Sequence, residues 1–319
     1  MNDPRLDFLK SINLDESRIS QFPGIIFVCG GPRSDIKDLP SSARDTIVRS
    51  LSISHNTIAK QITEAEEVQD WLKEGHYSNL ISFETDIADL ATLIVLFVES
   101  AGSIAELGAF SVIPNIASKL LVFIRENSYQ QDSFIRLGPI KHLEEIKSMV
   151  RPYPWALNKA TRNDEFGPAD IESVNKLAAD IAKDIAIALN KTPKSSSFNK
   201  NLSGHIMLLI CDLVDISLAL KLGEILEYLQ NFNIEITEKD LKKYLYLLEK
   251  FKLLEKKSYG DHYYIATDSP SFITFKFNDP KPTHDRLSIK VDMAVYYLEN
   301  DKSRHNALKR RSTLLEMDS

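Results

Sequence analysis

A glutamate a few residues past a glycine, just after an apolar run, carries the clearest chemical meaning in this sequence. The stretch is Glu99-Ser-Ala-Gly-Ser-Ile-Ala-Glu-Leu-Gly-Ala-Phe110, preceded by Leu93-Ile-Val-Leu-Phe-Val98. The apolar run reads as a buried strand, the glycine as a turn, and Ser103 to about Ile113 as a helix stopped by Pro114. Glu106 then falls in the first helical turn, where free N–H groups and the partial positive charge of the helix end favour an ionised carboxylate. Such a group suits a nucleophile attacking the anomeric carbon of a ribose through an oxocarbenium-like transition state, with a covalent glycosyl-enzyme intermediate. The same spacing has a second meaning, because Ser103-x-x-Glu106 is also a capping box in which the glutamate bonds back to the cap. Gly108, one turn on, costs ~1 kcal/mol against alanine in a helix and points to a contact that needs its small size.

A second strand end lies upstream. Gly24-Ile-Ile-Phe-Val-Cys-Gly-Gly31 is an apolar run closing on two glycines, followed by Pro32-Arg33-Ser34. It is neither a G-x-G-x-x-G fingerprint nor a P-loop. Either it is a plain turn, or the backbone N–H groups of Gly30 and Gly31 and the Arg33 side chain approach a phosphate.

The elements that must position these groups alternate between strand and helix. A helix-compatible segment runs from about Ser42 to Trp71, Leu80-Ile81-Ser82-Phe83 reads as a short strand, Lys119 to Ile124 as another buried strand, and Ile171 to Leu189 as a closing helix. This alternation predicts an α/β fold, a doubly wound parallel sheet with ligands beyond the carboxyl ends of the strands. Lys191 to Asn201, with Pro193 and three serines, reads as a linker. Beyond it, helices over His205–Leu213, Leu218–Leu229 and Glu238–Phe251 precede a hairpin turning at Ser258-Tyr259-Gly260-Asp261, which predicts a mainly helical winged-helix domain. The expected organisation is a catalytic domain over 1–190, a linker over 191–201, a winged helix over 202–277 and a C-terminal extension over 278–319. Lys239, Lys242 and Lys243 lie off the Leu241-Leu245-Leu248 face, as a solvated helix side or as nucleic-acid contacts. Lys309, Arg310 and Arg311 form a cationic end for phosphate backbones, or a disordered tail.

The chain has 319 residues, 43% hydrophobic and 26% charged, with a formal net charge of −6. This composition excludes a protein that coats nucleic acid over its whole surface but leaves room for a local basic face. Cys29 and Cys211 show no metal-ligand spacing and read as buried free thiols in a reducing compartment, so neither a metal nor a resident cofactor is expected. The longest apolar segment, Leu90 to Val98, is too short to span a bilayer, and the first ten residues do not resemble a signal peptide. A cytoplasmic location follows, with no membrane contact. Asp89 reads as a solvated helix residue.

Gly-Ser-x-x-Glu-Leu-Gly after an apolar strand resembles the catalytic signature of the nucleoside deoxyribosyltransferase-like N-glycosidases, over roughly residues 20–190. The resemblance implies that Glu106 is the nucleophile, that Gly102 and Ser103 line the sugar pocket, and that the Gly30-Gly31 turn lies beside the substrate. It also implies a second acid upstream of the motif strand; Glu84 and Asp86 both fall near the expected place, and spacing does not choose between them. With a winged helix appended, the whole chain resembles the effector proteins encoded beside bacterial retrons. That implies a toxin of anti-phage defence, held in an assembly with a reverse transcriptase and its RNA–DNA product, msDNA, and oligomerisation.

Three functions are then open. The first is a toxic N-glycosidase acting on a nucleotide, with NAD+ favoured because nicotinamide leaves as a neutral base without prior protonation. The second is a non-catalytic regulator that senses a nucleotide and binds DNA. The third is a housekeeping nucleoside deoxyribosyltransferase, for which a winged helix and basic tail have no use.

Overall fold

The computed structural model describes residues 4–53, 57–64, 66, 77–158, 166–267, 271–278 and 285–315, with the side chains of residues 6 and 309–315 excepted. In chain order the first elements are α1 (Pro4–Ser11), β1 (Ile12–Ile19), β2 (Ile26–Cys29), α2 (Ala43–Ile53), β3 (Ile62–Thr63), α3 (Leu80–Leu90), β4 (Leu93–Val98) and α4 (Ala101–Ser111). Then follow α5 (Pro114–Ala117), β5 (Leu120–Arg125), α6 (Glu126–Gln130), α7 (Lys141–Glu145), β6 (Met149–Tyr153), α8 (Ile171–Lys191) and β7 (Ser196–Ser197). The chain continues through α9 (Ser203–Ile216), α10 (Leu222–Asn231), α11 (Glu238–Lys250), β8 (Leu254–Tyr259), β9 (Asp261–Ala266), β10 (Ile273–Phe277), α12 (Arg286–Asn300) and α13 (Lys302–Leu315). Two compact units result, one of Pro23–Asp70 and Leu80–Pro193, the other of Met1–Phe22, Trp71–Asn79 and Lys194–Ser319.

The first unit is built on a five-stranded parallel sheet of order β3-β2-β4-β5-β6. Its inner strands β2 and β4 are apolar and buried throughout, and β5 is so up to its last residue, Arg125, as expected of strands covered on both faces. Alternate residues Ile26, Val28, Val95, Phe97, Leu121 and Phe123 share one core with Ile47 and Leu51 of α2 and Val174, Ile181 and Ile185 of α8. The intervening residues Phe27, Ile94, Leu96, Val122 and Ile124 are equally buried, so the other face is covered as well.

Two local expectations are corrected here. Leu80-Ile-Ser-Phe83 opens helix α3 rather than forming a strand, because Phe83, Ile87 and Leu90 recur at helical spacing and bury one face. The expected helix from Ser42 toward Trp71 ends at Ile53, and β3 occupies Ile62–Thr63; its stretches over 54–56, 65 and 67–71 lie outside the described residues.

The second unit carries α9, buried along nearly its whole length, with α10, α11 and the β8–β9 hairpin following in the order the sequence predicts. Gly260 takes the left-handed conformation at the hairpin turn, φ +69°. The sequence assigns residue 1 onward to the α/β domain, yet β1 pairs with β10 and β7, which places Met1–Phe22 in this other unit. The linker is likewise not bare, since Ser196–Ser197 pairs with β1. The C-terminal segment forms α12 and α13, packed by the buried Met293, Tyr297 and Arg304. Arg304 donates to Glu224 at 2.6 Å and to the Ala219 carbonyl at 2.9 Å, and Asp212 accepts from Ile273 N and from Arg286. The basic residues Lys309, Arg310 and Arg311 therefore fall within a helix and not in a disordered tail.

Candidate active site

The strand order reverses between β2 and β4, so the crevice beyond their carboxyl ends is where a sheet of this kind takes its ligand. The loops after these two strands are stitched together by one side chain. Glu99, the residue just after β4, is buried and accepts hydrogen bonds from Gly31 N (3.0 Å), Arg44 N (2.9 Å) and Ala43 N (2.6 Å). Ala43 and Arg44 open α2, so the Glu99 carboxylate occupies the anion site that this helix N-terminus would otherwise offer. The Gly31 N–H, expected to face a substrate phosphate, is thus already engaged within the protein. A Cβ at Gly31 would lie 2.7 Å from Ser42 Cβ and 3.0 Å from the Glu99 carboxylate, so glycine is required there by close approach. At Gly30 a Cβ would meet Arg44 and Phe97 at 3.0 Å.

Helix α4 starts earlier than its sequence suggests. Ser100 is the N-cap, and Ser100 and Ser103 form the capping box. The Ser103 hydroxyl accepts from Glu99 N (3.0 Å) and Ser100 N (2.9 Å) and donates to the Ser100 carbonyl (2.9 Å). Its bonding is spent inside the cap, while Gly102 is exposed. Glu106 is consequently not the capping partner of Ser103 and lies in the second turn rather than the first. A Cβ at Gly108 would meet nothing within 4 Å among the described residues, so packing does not account for that glycine.

Freed from capping, Glu106 is half-buried, and its Oε2 is buried with no hydrogen-bond partner among the described residues. Burial, and next the charge of Glu84, push its carboxyl up to about 8, against the pull of Arg44. The expectation of a carboxylate ionised by the helix end is reversed, because the second turn lies beyond the dipole's reach. Glu84, buried on α3, is itself raised to about 7 by burial and by the charge of Glu66, again opposed by Arg44. The two carboxyls titrate as a pair. Asp86, two positions along α3 and so about 200° around the helix, is half-buried. Lys119 holds the end of α3 by donating to the Asp89 (2.7 Å) and Ala91 (3.0 Å) carbonyls. Asp89 is buried and accepts from Asn115, so it is not a solvated residue.

The positive charge near the pair is Arg44, which the sequence reading missed. It is buried, forks onto Glu66 at 2.9 and 2.6 Å, and lies 3.7 Å from the buried Glu64. Arg33 also pairs with Glu64 and is one third exposed (33%), which leaves it reachable from solvent. Local signals for Arg44 and Glu99 are an arginine in a helix's first turn and an acid ending an apolar strand; neither names its partner. Cys29 is buried, and burial, then the charge of Glu106, pushes its thiol well up. Among the described residues, no cluster of His, Cys, Asp and Glu is arranged to hold a metal ion, and no helix is long and apolar enough to cross a membrane.

In the other unit, Lys239 and Lys242 are exposed on α11 and Lys243 is half-buried. Lys242 pairs with Glu238 at 2.6 Å; Lys243 pairs with Asp240 at 2.7 Å and sits 5.7 Å from the centre of the Tyr77 ring. The side chains of Lys309, Arg310 and Arg311 lie outside the described residues.

Comparison with known proteins finds that the family described as STM3845 retron effector protein matches residues 40–256. The chain is 26% identical over 295 residues to the "Retron Ec73 putative ribosyltransferase/DNA-binding protein" of Escherichia coli, covering 88% of this chain and 86% of that one. It is also 26% identical over 185 residues to the "Retron Ec86 putative ribosyltransferase/DNA-binding protein" of Escherichia coli, covering 57% of this chain and 55% of that one.

Proposed function

The chain belongs to the STM3845 retron effector protein family, and from that premise we propose that it is the toxic effector of an anti-phage retron, an N-glycosidase that cleaves a nucleotide, NAD+ above all. The observation that carries the reading is the Glu106 carboxylate, half-buried, without a hydrogen-bond partner on Oε2 among the described residues, and subject to the charge of Glu84. A carboxylate used for structure would be bonded; this one is kept poor in partners and raised in energy when ionised, as a nucleophile is. The names of the two Escherichia coli relatives, which join a ribosyltransferase to DNA binding, support the same reading.

In the proposed reaction Glu106 attacks the anomeric carbon as the glycosidic bond breaks. The bonding pair leaves with the base, so the cationic nicotinamide of NAD+ departs neutral. The resulting glycosyl ester is opened by water, which gives its proton to Glu84 and restores the Glu106 carboxylate. Of the two candidate second acids the reading takes Glu84 over Asp86, because Glu84 is the one whose charge reaches Glu106. Arg44 keeps the acidic crevice from holding every proton, and Arg33 is the reachable contact for a phosphate. Gly102 forms the exposed rim one turn before Glu106. Gly30, Gly31 and Ser103 shape the wall without donating to the substrate.

The α9–α11 helices with the β8–β9 hairpin act as a winged helix in this reading. It binds a reverse transcriptase and msDNA through Lys239, Lys242, Lys243 and the Lys309-Arg310-Arg311 end, which restrain or release the toxin. The test is to incubate the purified chain, with and without the reverse transcriptase and msDNA, with NAD+ and a nucleotide panel, and to analyse products by mass spectrometry. Nicotinamide and ADP-ribose should form, and Glu106→Gln should form neither. A folded Glu106→Gln protein that turns over normally, or an intact panel under both conditions, would overturn the assignment.

A further inference from the structure

Four charged side chains of the first unit stand in a row, Glu66, Arg44, Glu64 and Arg33. The Arg44 guanidinium forks onto Glu66 at 2.9 and 2.6 Å and lies 3.7 Å from Glu64, which in turn pairs with Arg33. The stem of Arg44 crosses the turn after β2, since a Cβ at Gly30 would meet Arg44 Cβ at 3.0 Å and Cδ at 3.3 Å. The arginine is thereby placed over the crevice beyond the carboxyl end of β2, where its charge reaches Glu106 and Glu84. Arg44 and Glu64 are buried, whereas the Glu66 side chain is 38% exposed and closes the row on the solvent side.

Two guanidinium groups face two carboxylates, so the row is neutral as a whole. The charge of Arg44 is offset by Glu66 before it acts on the Glu106–Glu84 pair, and Glu66 adds its own negative charge. Burial opposes ionisation of Glu66, yet the hydrogen bonds and charge of Arg44 hold its carboxyl below the usual range, so it is ionised wherever the pair titrates. The groups facing Glu106 are Glu84 from α3, Arg44 from α2, Glu66, and Cys29 of β2, whose buried thiol is neutral. Glu99, the remaining acid of the crevice, is occupied by three backbone N–H groups. Among the charges that act on Glu106, Arg44 is the one that favours its ionised form. Without the Glu66 charge, the row would carry one net positive charge beside the pair.

We propose that Glu66 is a positioning residue of the reaction: it fixes Arg44 by its fork, offsets the arginine's charge, and so holds back the Glu106 nucleophile and the basal activity. The inference rests on the reading of Glu106 as nucleophile and Glu84 as its proton partner. It gives the chain a restraint of its own, distinct from the one assigned to the reverse transcriptase and msDNA. Neutralising Glu66 leaves the charge of Arg44 to act on the pair alone, and the nucleophile then ionises at lower pH. A purely structural acid would cost stability or turnover and leave that pH where it is.

The test compares wild type, Glu66→Gln and Glu66→Asp in the full chain. Glutamine keeps the shape and an acceptor for Arg44 but loses the charge, whereas aspartate keeps the charge. With partial screening at Glu66, the ascending limb of kcat/KM for NAD+ should move to lower pH in Glu66→Gln by about half to one unit, a gain of about three- to tenfold at pH 6. Glu66→Asp should return the limb to within about a quarter unit of wild type. Glu172→Gln, whose side chain is 81% exposed on α8, should leave it unmoved. Carboxyl 13C NMR of glutamate-labelled chain, with the Glu106 signal identified by its loss in Glu106→Gln, reads the same displacement with no substrate present. A chain inactive toward every nucleotide would refute the glycosidase reading, and the NMR midpoint would still decide whether Glu66 governs Glu106. An unmoved or raised Glu106 midpoint in Glu66→Gln, or an equal displacement in Glu66→Asp or Glu172→Gln, overturns the proposal. Where circular dichroism shows Glu66→Gln unfolded, Glu66→Ala carries the same expectation and decides by the same readout.

Discussion

Replacing Glu106 by glutamine should make the protein more stable at alkaline pH while destroying its activity. Burial and the charge of Glu84 raise this carboxyl from 4.5 to about 8. The folded chain therefore holds the proton more tightly than the unfolded chain. Its stability is undiminished below about pH 4.5 and falls as the pH rises through 8. At about 1.4 kcal/mol per pH unit the full shift corresponds to roughly 5 kcal/mol, and solvent access with the shared titration of Glu84 reduces it to ~2 kcal/mol. Glutamine carries no charge at any pH, so the variant escapes this penalty. Wild type and Glu106→Gln should melt together at pH 5, and the variant should melt higher at pH 8.5 by ~4–8 °C for ~2 kcal/mol. Differential scanning fluorimetry at both pH values, beside an NAD+ consumption assay, reads the two effects on one sample. Coincident melting at pH 8.5, or a variant that melts lower there, would refute the argument and return Glu106 to a structural role.

The ascending limb of kcat/KM against pH should follow ionisation of the pair, and Glu84→Gln should move it to lower pH, because removing a neighbouring negative charge makes Glu106 easier to ionise; an unmoved limb would mean the two do not communicate. Glu99→Gln should destabilise the chain by ~2–3 kcal/mol in urea unfolding, since three backbone N–H groups lose a charged acceptor and meet an amide that is itself half donor. Gly31→Ala should act in the same direction, by ~1–3 kcal/mol, because its Cβ would meet Ser42 at 2.7 Å; full stability would show that the loop opens easily. Joint reversal of Lys239, Lys242 and Lys243 to glutamate should weaken retention on msDNA and flatten its salt dependence, which on duplex DNA has a slope of roughly −0.9 per phosphate contact; retention indifferent to both would make the contact protein-only.

Strands β2, β4 and β5, the glycine turn after β2 and the hairpin at Gly260 follow from local pattern alone, because a buried parallel strand must be apolar on both faces and a tight turn needs a residue that tolerates positive φ. The same local reading placed Glu106 near the carboxyl end of the central strand. It erred at α3, where four residues are too few to tell strand from helix, and at the start of α4, where two serines three residues apart compete to cap the same helix. The rest depends on contacts between distant residues. Glu99 reaches N–H groups 55, 56 and 68 positions away, and β1 finds β10 across most of the chain. The preference for Glu84 over Asp86 near Glu106 depends on how α3 is rotated against the sheet, which its own residues do not specify. Residue types and spacing thus determined which carboxylates were available and roughly where they stood. Tertiary structure alone decided that Glu106 Oε2 is buried without a hydrogen-bond partner among the described residues, that its carboxyl is raised, and that Glu99 fills the anion site, because burial and charge coupling act through space and leave no trace in sequence order.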